Sequence, residues 1–222
     1  MGIAGLNVRL RFSSFVNYAS LLFRVLVSLG FVVIVARRLS VNEFGLWGII
    51  VSAMTFLALF SEVWLWWVTR FIARDAVGAT GAGLFMTIAY LCLATLAYVA
   101  LAYVVSLTIG WGFNYLVLAT PILWLTVLTY FLNSVAVAVK PEVLGYRGFA
   151  YEFSRLFSTY FLIVLLSMGL LGVILAMTFS RLIALILMYF KLRKHVSFKP
   201  ANLRKHVVFW LKNSYIPLLE IL

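Results

Sequence analysis

Ser13-Ser14-Phe15-Val16-Asn17-Tyr18-Ala19-Ser20-Leu21-Leu22-Phe23-Arg24-Val25-Leu26-Val27-Ser28-Leu29-Gly30-Phe31-Val32-Val33-Ile34-Val35-Ala36 decides how this chain is read. One charge in a run this long is the pattern of a membrane-crossing helix. The short link Arg37-Arg38-Leu39-Ser40-Val41-Asn42 follows, then a second apolar run from Glu43 to Thr69. The two runs form a hairpin, about Phe15 to Thr69, on which the later helices are expected to pack. Arg24 sits near the middle of the first run. A charge at that depth is costly and calls for a partner or a function.

Composition agrees. The chain has 222 residues, 65% of them hydrophobic and 11% charged, with a mean hydropathy of +1.11. A soluble domain carries less apolar sequence and more charge. The long runs do not alternate, which argues against a β-barrel. The expected class is therefore an all-α polytopic membrane protein. The formal charge of +12 lies mostly in the links between runs, so it points to topology and anionic lipid and not to nucleic acid. Cys92 is the single cysteine, and His195 and His206 sit in a basic link without a ligand pattern, so no metal site is expected. The first run is too long, and too interrupted by Arg24, for a cleavable signal peptide.

Taken in order, the apolar runs predict six crossing helices at about 14–36, 43–69, 84–109, 115–139, 153–168 and 173–192. Residues 1–206 make one six-helix lobe, and 207–222 begin a seventh helix that is too short to cross by itself. Lys140 to Arg155 reads as a charged link containing some helix, because Glu152 and Arg155 are three apart. Links on one side hold fourteen Lys and Arg, against Arg37 and Arg38 on the other. That asymmetry places the amino terminus in the cytoplasm and the protein in the cytoplasmic membrane.

Polar stripes carry the functional signal. Ser13, Asn17, Ser20, Arg24 and Ser28 recur at steps of three and four, one face of a helix. Arg24 lies about 18 Å from the outer end of its helix at ~1.5 Å per residue, beyond the reach of snorkelling alone. Its guanidinium suits phosphate or carboxylate. The structural alternative is an arginine bonded to carbonyls or to one acid. Ser52, Thr55, Glu62 and Thr69 share a face of the second helix, which makes Glu62 the candidate acid for Arg24. Glu62 also reads as a plain interfacial anchor beside Trp64, Trp66 and Trp67. Thr126, Thr129 and Asn133 share a face of the fourth helix, and Thr178 and Arg181 mark the sixth. Two buried arginines against one acid leave positive charge in the core, which favours an anionic cargo. The candidate substrate-binding residues are Arg24, Arg181, Asn17, Ser20, Ser28, Thr55, Glu62 and Asn133. No nucleophile triad, carboxylate pair or phosphate loop is present in the sequence, so neither an enzyme nor a cofactor is expected.

Ile34 to Trp47 resembles the first hairpin of polysaccharide flippases of the multidrug, oligosaccharidyl-lipid and polysaccharide exporter superfamily. The residues that carry the likeness are Ala36, Arg37, Leu39, Glu43, Phe44 and Gly45, together with Thr69-Arg70-Phe71-Ile72-Ala73 at the close of the second helix. The chain departs from the family at Val63-Trp64-Leu65-Trp66, where a Gly-Leu pair is usual. The resemblance implies the amino-terminal lobe of a carrier that flips lipid-linked pyrophosphate glycans. Arg24 and Arg181 would then meet the pyrophosphate, with a second six-helix lobe or another copy as partner. A cation-coupled drug exporter of the same superfamily and a non-transporting assembly subunit are the alternatives.

Overall fold

The computed structural model describes residues 10–74, 76, 78–196 and 203–213. Among these the chain is helical, without strands: α1 (Leu10–Arg38), α2 (Val41–Leu59), α3 (Glu62–Ala73), α4 (Ala79–Ile109), α5 (Phe113–Leu118), α6 (Thr120–Val139), α7 (Glu142–Thr159), α8 (Gly169–Leu192) and α9 (Leu203–Lys212). α7 runs on through a wider π-helical stretch, Tyr160–Leu165. Five segments are long and apolar enough to cross a membrane: α1, α2, α4, α5 with α6, and α8. The protein is an all-α polytopic membrane protein.

The expected count of six crossing helices and a partial seventh changes in three places. The second run is two helices, because the chain turns at Phe60–Ser61 and the Ser61 hydroxyl donates to the Ala58 carbonyl at 2.7 Å. The fourth run also breaks, at Ala119. Pro121 has no N–H to give the Val117 carbonyl, and the Thr120 hydroxyl bonds that carbonyl instead, at 2.7 Å. The largest change concerns the link from Lys140 to Arg155. It is helical from Glu142 onward, so the fifth helix starts eleven residues before the expected Phe153. With its π continuation α7 is about 35 Å long at ~1.5 Å per residue. It is long enough to cross, yet Glu142, Arg147, Glu152 and Arg155 keep it outside the apolar set. Part of the expected seventh segment, 214–222, and most of the basic lead, 1–9, lie outside the described residues.

α7 packs most extensively on α1 and on α8. α1 and α7 run parallel: Ser13 donates to Glu142 at 3.3 Å, Asn17 to the Pro141 carbonyl at 3.2 Å, and Ser28 receives Arg155 at 2.8 Å. Glycines set the spacing. A Cβ on Gly145 would stand 2.6 Å from Val16 Cγ1 and 3.0 Å from the Val16 backbone, and one on Gly148 would overlap the Ser20 hydroxyl. Small residues on both helices let the backbones close up, the usual device where lipid offers no hydrophobic drive between helices.

Two apolar clusters occupy the ends of the bundle. One joins Phe31, Leu46, Ile50, Tyr98, Leu123, Ile163 and Ile174. The other joins Trp67, Phe131, Val135, Val143, Met188 and Trp210. Between these two levels α1, α6, α7 and α8 contribute polar residues, among them Arg24, Thr129, Arg147, Glu152 and Arg181, and that is where the site forms.

Candidate functional site

A cavity of about 310 Å³ lies at the level between the apolar clusters. Its walls are Arg24 and Ser28 from α1, Thr129 and Tyr130 from α6, Arg147, Tyr151, Glu152 and Arg155 from α7, and Arg181 and Ala184 from α8. The face of α1 that the sequence marked as polar does turn inward, onto α7. Arg24 Nε stands 3.7 Å from Glu152 Oε1, and Arg155 Nη2 stands 2.5 Å from Glu152 Oε2. The acid that answers Arg24 is therefore Glu152 and not Glu62. Glu62 is exposed at the start of α3 and lies outside the walls of this cavity. The physical reason is the parallel register of α1 and α7, which brings Arg24 to the level of Glu152.

Four guanidiniums and one carboxylate share the cavity. Each guanidinium has five N–H donors, and few are used. Arg155 Nη2 serves both Ser28 and Glu152, and Arg147 Nη1 donates to Asn133 Oδ1 at 3.2 Å. Arg181 forms no hydrogen bond or ion pair among the described residues, and its Cζ stands 5.6 Å from the centroid of the Tyr151 ring. The buried Nε atoms of Arg147, Arg155 and Arg181 are all without an acceptor. A buried donor left unmade costs about 1–3 kcal/mol, more when charged, so these groups are poised for acceptor oxygens. Tyr151 helps to hold the array, because its ring lies 5.2 Å from Arg155 Cζ as well as facing Arg181. The Arg24 side chain is 43% exposed, so the cavity is open beside α1 and not sealed as a dry core.

The other sequence candidates are placed as follows. Ser28 lines the cavity and is bonded to Arg155. Asn133 touches the cavity only through Arg147. Asn17 is spent on the Pro141 carbonyl, and Ser20 packs on Gly148, so both act in the α1–α7 seam. Thr55 is exposed and bonds its own helix at the Val51 carbonyl; it lies outside the cavity walls.

Sequence reasoning missed Arg147, Tyr151, Glu152 and Arg155 because it assigned them to a link. A signal was available. Gly145, Gly148, Glu152 and Arg155 recur at steps of three, four and three, the same helical face period as the stripe on α1.

No family model, curated protein or solved structure matches this chain. The geometry of the cavity carries the functional argument.

Proposed function

We propose that this lobe carries an anionic, pyrophosphate-linked lipid glycan across the cytoplasmic membrane, holding its phosphates in the arginine cavity. The supporting observation is the surplus of unspent guanidinium donors around Glu152 at mid-bundle. Glu152 is already shared between Arg24 and Arg155, which leaves three formal positive charges without a carboxylate. Guanidiniums bind phosphate oxygens through paired, charge-assisted hydrogen bonds. A diphosphate bears many such oxygens and fits a cavity of this size.

The resemblance of the Ala36–Gly45 hairpin to polysaccharide flippases supports the same reading. So does the distribution of basic residues. Arg147 and Arg155 move from the links into the bundle, yet the count remains twelve against two and still favours a cytoplasmic amino terminus. The cation-coupled exporter fits less well, since the one buried acid of the cavity is held by two arginines. Transport by alternating access needs a facing wall, which a second lobe or a second copy would supply.

The test is a leaflet-exchange assay in proteoliposomes with undecaprenyl pyrophosphate and its glycosylated forms. Arg181→Ala is expected to lower exchange at least tenfold at unchanged protein level, and Arg181→Lys to retain part of it. Exchange at the wild-type rate in both Arg24→Ala and Arg181→Ala would remove the proposal.

A further inference from the structure

A second cavity, of about 340 Å³, abuts the first. It lies between α3 and α6, and its polar walls include Glu62, Trp66, Thr69, Arg70, Tyr130 and Asn133. Tyr130 lines both cavities. Asn133 in the second cavity accepts from Arg147 in the first. The two spaces are thus neighbours across one edge of α6, joined by one side-chain hydrogen bond.

The chemistry of the two walls differs. The first offers surplus positive charge. The second offers one carboxylate and one guanidinium, so it is balanced, and it adds aromatic surface. The Arg70 Cζ lies over the Trp66 ring, 3.3 Å from its centroid, a cation–π contact that holds the indole in place. Glu62, the Asn133 amide nitrogen and the Tyr130 hydroxyl have no hydrogen-bond partner among the described residues. Arg147 occupies Asn133 Oδ1, so the amide's N–H donors remain unspent on a residue that lines the second cavity. A single carboxylate beside an arginine does not suit a metal ion, and among the described residues no group of three metal-ligating side chains occurs.

Resting on the reading of the first cavity as a diphosphate site, we infer that this second cavity binds the first sugar of the cargo. Glu62 accepts hydrogen bonds from two ring hydroxyls, the Asn133 amide donates to a third oxygen, and Trp66 and Tyr130 supply the apolar wall. Ligand sites of this kind combine an aromatic lining with a few placed polar groups and begin at about 300 Å³. Arg147 is the positioning residue between the sites, since it sets the Asn133 amide while facing the phosphates.

The experiment measures binding to the purified protein in zwitterionic nanodiscs. The probes are undecaprenyl pyrophosphate without sugar and a panel carrying one glucose, galactose or N-acetylglucosamine. The expected result is that at least one glycosylated probe binds about tenfold tighter than the sugar-free lipid. Glu62→Gln and Asn133→Ala abolish that difference, Glu62→Gln without changing the sugar-free Kd, and Arg181→Ala weakens both classes. Glu62 is exposed, so its substitution tests binding without threatening the fold, and a melting curve checks this. If the sugar-free lipid binds and no sugar improves it, or if both variants keep full discrimination, the sugar site is overturned and the phosphate cavity stands. If no probe binds at all, the phosphate reading fails and the sugar site with it.

Discussion

Arg24 on α1 and Glu152 on α7 stand 3.7 Å apart across a parallel helix pair, and Arg155 closes on the same carboxylate from one turn further along α7. The Glu152 side chain is only 2% exposed, so it is the anchor that lets two cations remain in the bundle. Removing one member of a buried, bonded group strands the others and costs about 3–5 kcal/mol. Glu152→Gln is therefore expected to lower thermal stability in detergent markedly. Glu152→Gln combined with Arg155→Met should recover much of the loss, because a matched apolar replacement leaves fewer charges to solvate. No recovery in the double variant would show that Glu152 acts through contacts other than Arg155.

The α1–α7 seam predicts a reciprocal effect. Gly148→Ala places a methyl on the Ser20 hydroxyl, and overpacking of this kind costs about 1–3 kcal/mol. Ser20→Ala in the same chain removes the obstructing oxygen and should restore part of the stability. Unfolding of the four variants, analysed as a double-mutant cycle, should give a coupling of at least about 0.5 kcal/mol. Simple additivity would mean that the two helices separate here.

Glu43 joins two helix starts. Its Oε2 closes the capping box with Ser40, receiving the Ser40 N–H at 3.0 Å and the hydroxyl at 2.9 Å, and its Oε1 lies 3.4 Å from the Leu170 amide at the start of α8. A carboxylate at a helix amino terminus is favoured by the unpaired N–H groups there. Ser40→Ala is expected to cost about 1 kcal/mol, and Glu43→Ala more, since it uncaps α2 and α8 together. Hydrogen exchange checks the distinction: the Leu170 amide should exchange faster in Glu43→Ala and stay protected in Ser40→Ala.

His195, in the turn after α8, has its pKa lowered by partial burial and by the neighbouring charges of Lys140 and Lys194. The unfolded chain then binds a proton at a higher pH than the folded one. Stability is full above the ordinary histidine pKa of about 6.5 and declines as pH falls through that value toward the folded pKa. Melting temperatures from pH 8 to pH 5 should show this decline, and His195→Gln should flatten it. An unchanged slope in the variant would assign the effect to other groups.

The sequence alone determined the solvent and the inward face of α1. Runs of some twenty apolar residues admit only helices that satisfy their own backbone, and a serine–asparagine–arginine stripe at helical spacing cannot face lipid. Which acid meets Arg24, and that four arginines converge on one cavity, was decided by tertiary structure. Taken by itself, α7 is too charged to read as a crossing helix, and its Arg147, Glu152 and Arg155 look like parts of a water-exposed link. They become tolerable at mid-bundle because Gly145 and Gly148 bring α7 against the polar face of α1, where Arg24 and Arg155 share Glu152 and Ser28 receives the remaining bond. Hydropathy sums each segment separately, whereas the energy of a buried charge depends on the groups that other segments place around it.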